Sequence, residues 1–236
     1  MPGLFILPGI IFIYMFGYEI KTIKIDDPNY PTRLKEIYNP PKVLYYIGTW
    51  PPTDLFPLAV VGSRESDIYG QRVIKTILND TILDKTVIIS GLAKGIDAAA
   101  HKIAKHTIAV LGTGLDEINF YPKENLKLCQ QIITQGGLII SEFPIGTKVC
   151  PQNFPQRNRI VAGLSQATLI IQAKIKSGAL ITARLALESG REVLAVPGSI
   201  FNELSAGTHL LIAQGATPVT SSEELSEICQ RLTCFE

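Results

Sequence analysis

Six short apolar runs separated by amphipathic or alanine-rich stretches constrain this chain more than any other feature. The runs are Leu58–Gly62, Val87–Ser90, Ile108–Leu111, Leu138–Ser141, Thr168–Gln172 and Glu192–Val196. Continuous rather than alternating hydrophobicity over four or five residues is what a strand buried on both faces requires. Between the runs the period changes. In Tyr69–Leu83, residues Val73, Ile74, Ile77 and Leu78 recur at helical spacing. Ile96–Lys105, Glu124–Gln135, Arg157–Leu164 and Leu180–Ser189 also read as helices. A further helix is expected near Thr208–Ala213, a short strand at Thr217–Val219 and a closing helix at Glu223–Leu232, capped by Ser221 or Ser222. Strands alternating with helices at this interval predict an α/β fold, a parallel sheet with helices on both faces. With 236 residues, 46% of them hydrophobic, there is material for one sizeable domain of this kind.

The ends of the chain differ from this core. Residues 1–22 form an apolar extension, and Met1–Tyr18 carries no charged side chain. Two readings stand for it: a remnant or upstream extension, or a membrane anchor. Pro8, Gly9 and Gly17 interrupt the stretch, it is barely long enough to span a bilayer, and neither a basic start nor a small-residue cleavage site marks a secretory signal. Residues 23–56 form a proline-rich lead-in with a short helix around Thr32–Ile37 and a strand at Val43–Ile47. The core spans 57–220 and a terminal helix 221–236. Four cysteines with no C-x-x-C pair argue against zinc and for reduced thiols in the cytoplasm. A net charge of +1 excludes a polycation, so any nucleic acid must meet a local patch.

In a parallel sheet, ligands lie at the carboxyl ends of the strands. Here those ends read Gly62-Ser63-Arg64, Ser90-Gly91-Leu92-Ala93-Lys94-Gly95, Gly112-Thr113-Gly114, Ser141-Glu142-Phe143-Pro144 and Pro197-Gly198-Ser199. Glycines admit a phosphate close to the backbone, helix N-termini attract anions, and Arg64 offers a planar fork. Any one loop is equally well a tight turn; five on one rim carry more weight. The dinucleotide fingerprint is absent, since Gly112-Thr113-Gly114-Leu115-Asp116-Glu117 lacks its third glycine. Asn153-Phe154-Pro155-Gln156-Arg157-Asn158-Arg159 sets an aromatic ring beside two arginines, as unpaired bases and phosphates demand. Equally, Phe154 staples a helix start and the arginines are solvated. Lys174-Ile175-Lys176-Ser177-Gly178 adds two cations, with Ser177 a candidate helix cap. Asp97 and His101, four apart on one helix, are either a hydrogen-bonded pair or an acid–base site, although Asp97 in a first turn already has a structural role. The sequence displays no nucleophile–base pair.

Taken together these segments resemble the DprA/Smf (DNA-processing protein A) family. The matching text includes Tyr30-Pro31, Val60-Val61-Gly62-Ser63-Arg64, Ser90 through Asp97 with Ala100-His101, Val110 through Asp116, Tyr121-Pro122, Ser141-Glu142-Phe143-Pro144, Phe154-Pro155 with Arg157-Asn158-Arg159-Ile160, Ser177 through Ala183, and Ala195-Val196-Pro197-Gly198. The likeness runs from about Ile25 to Val219. It implies an extended Rossmann-like, doubly wound, mostly parallel sheet. It also implies a homodimer that binds single-stranded DNA and helps load RecA recombinase during natural transformation, without being an enzyme or holding a cofactor. By position, the implied DNA-binding residues are Gly62, Ser63, Arg64, Gly91, Lys94, Gly95, Gly112, Gly114, Phe154, Arg157, Asn158, Arg159, Lys174, Lys176, Ser177 and Gly178. Lys94 replaces a usual arginine, Gln172 a usual glutamate and His209 a usual asparagine. The chain is too short for the C-terminal winged-helix domain of many members.

The alternative function is an enzyme on a nucleotide or phosphoribosyl substrate, of the similar lysine-decarboxylase-like fold. Against it, the P-G-G-x-G-T-x-x-E loop is missing: Pro197-Gly198 runs on into Ser199-Ile200, and Glu203 follows without the glycines. A membrane-tethered adaptor anchored by Met1–Tyr18 is the third and weakest reading.

Overall fold

The computed structural model describes residues 4–7 and 10–234, with side chains from Tyr14 to Cys234. In chain order the elements are strands β1 (Leu4–Leu7), β2 (Ile10–Met15), β3 (Tyr18–Glu19) and β4 (Lys21–Lys24), helix α1 (Thr32–Lys35) and strands β5 (Val43–Gly48) and β6 (Phe56–Val61). Helices α2 (Ile68–Ile77) and α3 (Asp80–Leu83), strand β7 (Thr86–Ser90), helix α4 (Ile96–Ile103), strand β8 (Thr107–Leu111), helix α5 (Leu126–Thr134) and strand β9 (Leu138–Ser141) follow. The chain then forms α6 (Asn153–Leu164), β10 (Ala167–Ile170), α7 (Gly178–Glu188), β11 (Glu192–Ala195), α8 (Ala206–Ala213), β12 (Thr217–Pro218) and α9 (Ser222–Thr233).

Nine strands make one sheet in the order β12-β11-β10-β6-β7-β8-β9-β5-β4. From β12 to β9 every pairing is parallel; β5 and β4 close that edge antiparallel. The parallel sheet with helices on both faces expected from the alternation, doubly wound as the resemblance implies, is therefore present, and its central strands are apolar on both faces for a visible reason. In β6, Leu58 and Val60 point to the layer of α2, α4 and α9, while Ala59 and Val61 point to that of α1, α6 and α7. A third cluster, with Leu111, Ile139, Phe120 and Cys129, seals α5 against β8 and β9.

Chain order creates a crevice. The strands β6, β7, β8 and β9 are laid down in one direction; the chain then returns to the other side of β6 to place β10, β11 and β12. The connections leaving β6 and β10 diverge, and such a switch point is where open α/β sheets take ligands.

Several local expectations need correction. The single helix read over Tyr69–Leu83 is two, because Leu78 leaves helical geometry (φ −93°, ψ 62°) and the Asn79 side chain caps α3 by accepting from the Ile82 N–H. Strand β4 lies where the sequence carries no strand signal; its Lys-Thr-Ile-Lys text buries only Ile23, the pattern of a charged edge strand. Helix α6 begins at Asn153 rather than Arg157, since Pro155 falls in its first turn, where a missing N–H costs nothing. The apolar N-terminal stretch, where described, is strand: β1, β2 and β3 form an antiparallel sheet, and Met15 is buried against the α5 side of the core. No helix among the described residues is long and apolar enough to cross a membrane. Of the two candidate caps for α9, Ser221 accepts the bond, from the Glu224 N–H.

Candidate nucleic-acid interface

A cleft of about 340 Å³ opens at the switch point, between the ends of β6, β7 and β10 and the starts of α6 and α7. Gly62, Ser63, Arg64, Gly91, Arg157, Asn158, Lys174, Lys176, Ser177 and Gly178 line it. A smaller hollow adjoins it, sharing Arg64, Gly91 and Arg157, and walled by Lys94, Gly112, Tyr121 and Phe154. Most sequence-selected residues thus converge, although residues 62 and 178 are more than a hundred positions apart.

Several of the glycines have a packing role besides the expected one. A Cβ on Gly91 would lie 1.3 Å from Arg157 Nη1, and one on Gly112 would lie 3.0 Å from the Phe154 ring. Both make room for the protein's own side chains while also lining the cleft or the hollow. Gly95 (φ +74°) lets the loop fold over Ser63 and Arg64, where a Cβ would meet the Ser63 carbonyl oxygen at 2.2 Å. Gly114 packs on the Pro144 carbonyl, outside the cleft. Gly178 alone of this group faces open space.

The cations divide sharply. Arg157 is 4% exposed; its Nη1 donates to the Val110 carbonyl (3.1 Å) and its Nε has no partner. Burial pulls its guanidinium down to about 10, partly offset by Asp97, so it stays charged at neutral pH. It therefore presents a fixed positive charge to cleft and hollow alike. Arg159, by contrast, turns away and pairs with Glu142 (2.6 Å), and Lys94 pairs with Glu124. Lys174 lies between Glu203 (3.4 Å) and Glu65 (3.5 Å). Among the described residues Arg64 and Lys176 make no ion pair, and both are exposed. The six cations among the implied DNA-binding residues thus divide into one buried charge, two free ones and three held by carboxylates.

Phe154 is half-buried on the first turn of α6, not in an exposed loop. Its ring carries the Arg64 guanidinium 5.5 Å from its centroid and meets Tyr121 at 5.7 Å, tilted by 56°. Tyr121 was legible only as family text; nothing in its spacing from Phe154 signals the contact. Ser177 occupies the cap position of α7 but its hydroxyl makes no cap bond, and its Oγ is buried without a partner. The α7 N-terminus consequently faces the cleft with unsatisfied N–H groups, which favour an anion.

Asp97 and His101 are not a pair. The Asp97 carboxylate accepts from the Gly91 and Ala93 N–H groups (3.2 and 3.4 Å), fixing the loop after β7. Burial raises its pKa, opposed by Arg157 and those two bonds. His101 Nδ1 bonds the Thr107 hydroxyl (2.7 Å); burial first, and Arg157 second, lower it to about 3, so it is neutral. Behind the cleft, buried Gln172 donates from Nε2 to Asp67 (2.8 Å), which also receives Asn202 Nδ2 (2.8 Å) and caps α2 through the Gly70 N–H (3.0 Å). This network holds the Gly62–Asp67 loop in place. The Pro197–Gly198 turn lies apart, tied to Tyr69 and His209.

The model of a family described as DNA recombination-mediator protein A matches residues 21–230. Protein Smf of Escherichia coli K12 is 43% identical over 212 residues, covering 88% of this chain and 56% of that protein. The chain thus spans little more than half the length of that relative. The X-ray structure of DNA processing protein A from Streptococcus pneumoniae superimposes with a TM-score of 0.82 at 42% identity, over 88% of this chain and 74% of that one. DNA processing protein A from Helicobacter pylori, whose structure concerns its single-stranded DNA binding mode, gives a TM-score of 0.79 at 29% identity, over 91% and 97%.

Proposed function

The chain belongs to the DNA recombination-mediator protein A family, and on that premise we propose that it binds single-stranded DNA in the switch-point cleft and acts as a recombination mediator rather than a catalyst. The observation that carries this reading is the continuity of an aromatic platform with an anion site. Phe154 and Tyr121 border the hollow, Arg64 spans from the Phe154 ring to the cleft, and the open α7 N-terminus with buried Arg157 lies beyond. A base on the aromatic side and its phosphate on the α7 side satisfy both halves. Base–aromatic stacking contributes roughly 1–3 kcal/mol per base and tolerates any sequence, as a mediator requires. The supporting roles are protection of incoming strands, delivery to RecA recombinase, assembly as a homodimer and residence in the cytoplasm.

Fluorescence anisotropy with labelled oligo-dT tests it. Phe154→Ala is expected to weaken binding by roughly 1–3 kcal/mol, and Arg64→Ala to lower the log–log salt slope by about 0.7, one phosphate's worth. A folded protein whose affinity is unaffected by salt, or by both substitutions, would refute the assignment of this cleft.

A further inference from the structure

A third concavity, about 490 Å³, lies beyond the cleft on the outer side of α7 and shares Lys176, Ser177 and Gly178 with it. Its remaining wall is Ile175, Leu180, Ile181 and Arg184. The spacing 177, 181, 184 puts Ser177, Ile181 and Arg184 along one helix face, so Arg184 sits about 9 Å from the α7 N-terminus at 1.5 Å per residue. Ile175, 58% exposed between two lysines, supplies with Leu180 and Ile181 the apolar part of this wall. Arg184 is 70% exposed and, among the described residues, held only by its neighbour on the helix, Glu188, at 3.5 Å, a contact that gives little stability. Hollow and cleft share Arg64, Gly91 and Arg157, and cleft and groove share Lys176, Ser177 and Gly178, so the three adjoin in series: aromatic side chains at one end, the α7 N-terminus and Arg157 in the middle, and at the far end an apolar side chain beside the two cations Lys176 and Arg184.

We propose that the DNA strand does not end in the cleft but continues across the α7 N-terminus into this groove, where a base lies on Ile175 and Arg184 takes a backbone phosphate. The groove is thus a binding subsite for the next nucleotides of the same strand. This rests on the cleft being the DNA site. Charge complementarity and continuity with the cleft select the strand as occupant; a protein partner on the same face is what a negative result would indicate. The chemistry is sequence-independent, because neither an aliphatic contact nor a phosphate contact reads a base edge.

The test compares short oligo-dT, about four nucleotides, with long oligo-dT, about sixteen, the range that single-strand-binding folds span. Wild type, Phe154→Ala, Ile175→Ser, Arg184→Ala and Arg184→Glu are measured with each at several salt concentrations, after thermal unfolding shows that they are folded. Ile175→Ser and both Arg184 variants are expected to weaken long oligo-dT alone, and Arg184→Ala to lower its salt slope by about 0.7. Phe154→Ala is expected to weaken both lengths. If the α7 variants bind both lengths as wild type does while Phe154→Ala fails, the strand does not cross α7 and the proposal is overturned with the cleft intact. If Phe154→Ala too is indistinguishable from wild type, the cleft reading itself falls.

Discussion

Replacing Gly91 by alanine separates two roles for a glycine at a strand end. If it admits a ligand phosphate, the variant should fold normally and bind DNA poorly. The structure assigns it instead to the berth of Arg157, whose Nη1 would lie 1.3 Å from the new Cβ. The guanidinium must then move and lose its bond to the Val110 carbonyl. A hydrogen bond to a charged group contributes about 1.5–3 kcal/mol. Forcing a methyl into a packed interior costs about 1–3 kcal/mol more. Against this, alanine stiffens the unfolded chain and returns about 0.4–1 kcal/mol. The net loss is about 1.5–5.5 kcal/mol, a large share of the 5–15 kcal/mol typical of a domain. Urea unfolding followed by circular dichroism measures it. In the double variant Gly91→Ala/Arg157→Ala the clash is gone, so the second substitution should add little to the first. A Gly91→Ala protein within about 0.5 kcal/mol of wild type, or full additivity in the double variant, refutes the berth.

The titration of His101 gives a second expectation. Its folded pKa, about 3, lies below the ordinary 6.5, so the unfolded state takes up the proton first and stability falls as pH drops through 6.5. The slope is about 1.4 kcal/mol per pH unit, and His101→Gln should remove it. Asp97, a carboxyl whose pKa is raised by burial, has the opposite sign and strengthens folding as pH falls towards its own pKa; parallel pH profiles for wild type and His101→Gln would contradict the His101 assignment. Asp67→Ala deletes the α2 cap together with the bonds from Gln172 and Asn202, and should cost about 2 kcal/mol in urea unfolding. Glu65→Gln and Glu203→Gln release Lys174 to the cleft; each should tighten oligo-dT binding at low salt and converge on wild type at high salt, and equal affinities at low salt would show that the carboxylates do not restrain Lys174.

Sequence alone determined the layered α/β architecture. Strands buried on both faces must be apolar throughout, as Leu58 to Val61 are, and helices over them must repeat near 3.6 residues, as Val73, Ile74 and Ile77 do. It also marked the rim, because parallel strands all end on one side and glycines gather there. What it left undecided was pairing. Whether Phe154 was a platform or a staple, and whether six cations were free or held, depends on partners far along the chain. Tyr121 meets Phe154 across 33 positions, Glu203 meets Lys174 across 29 and Gly91 meets Arg157 across 66. Glu65 and Glu124 are unremarkable in the text, and Glu142 stands out there only as part of a rim loop; the folded sheet alone sets the three against Lys174, Lys94 and Arg159. Local spacing encodes which face a residue occupies, through the period of its own helix or strand. Which charge neutralises which, and which glycine yields to which side chain, is set by the order of strands in the sheet, and only the tertiary structure decides that.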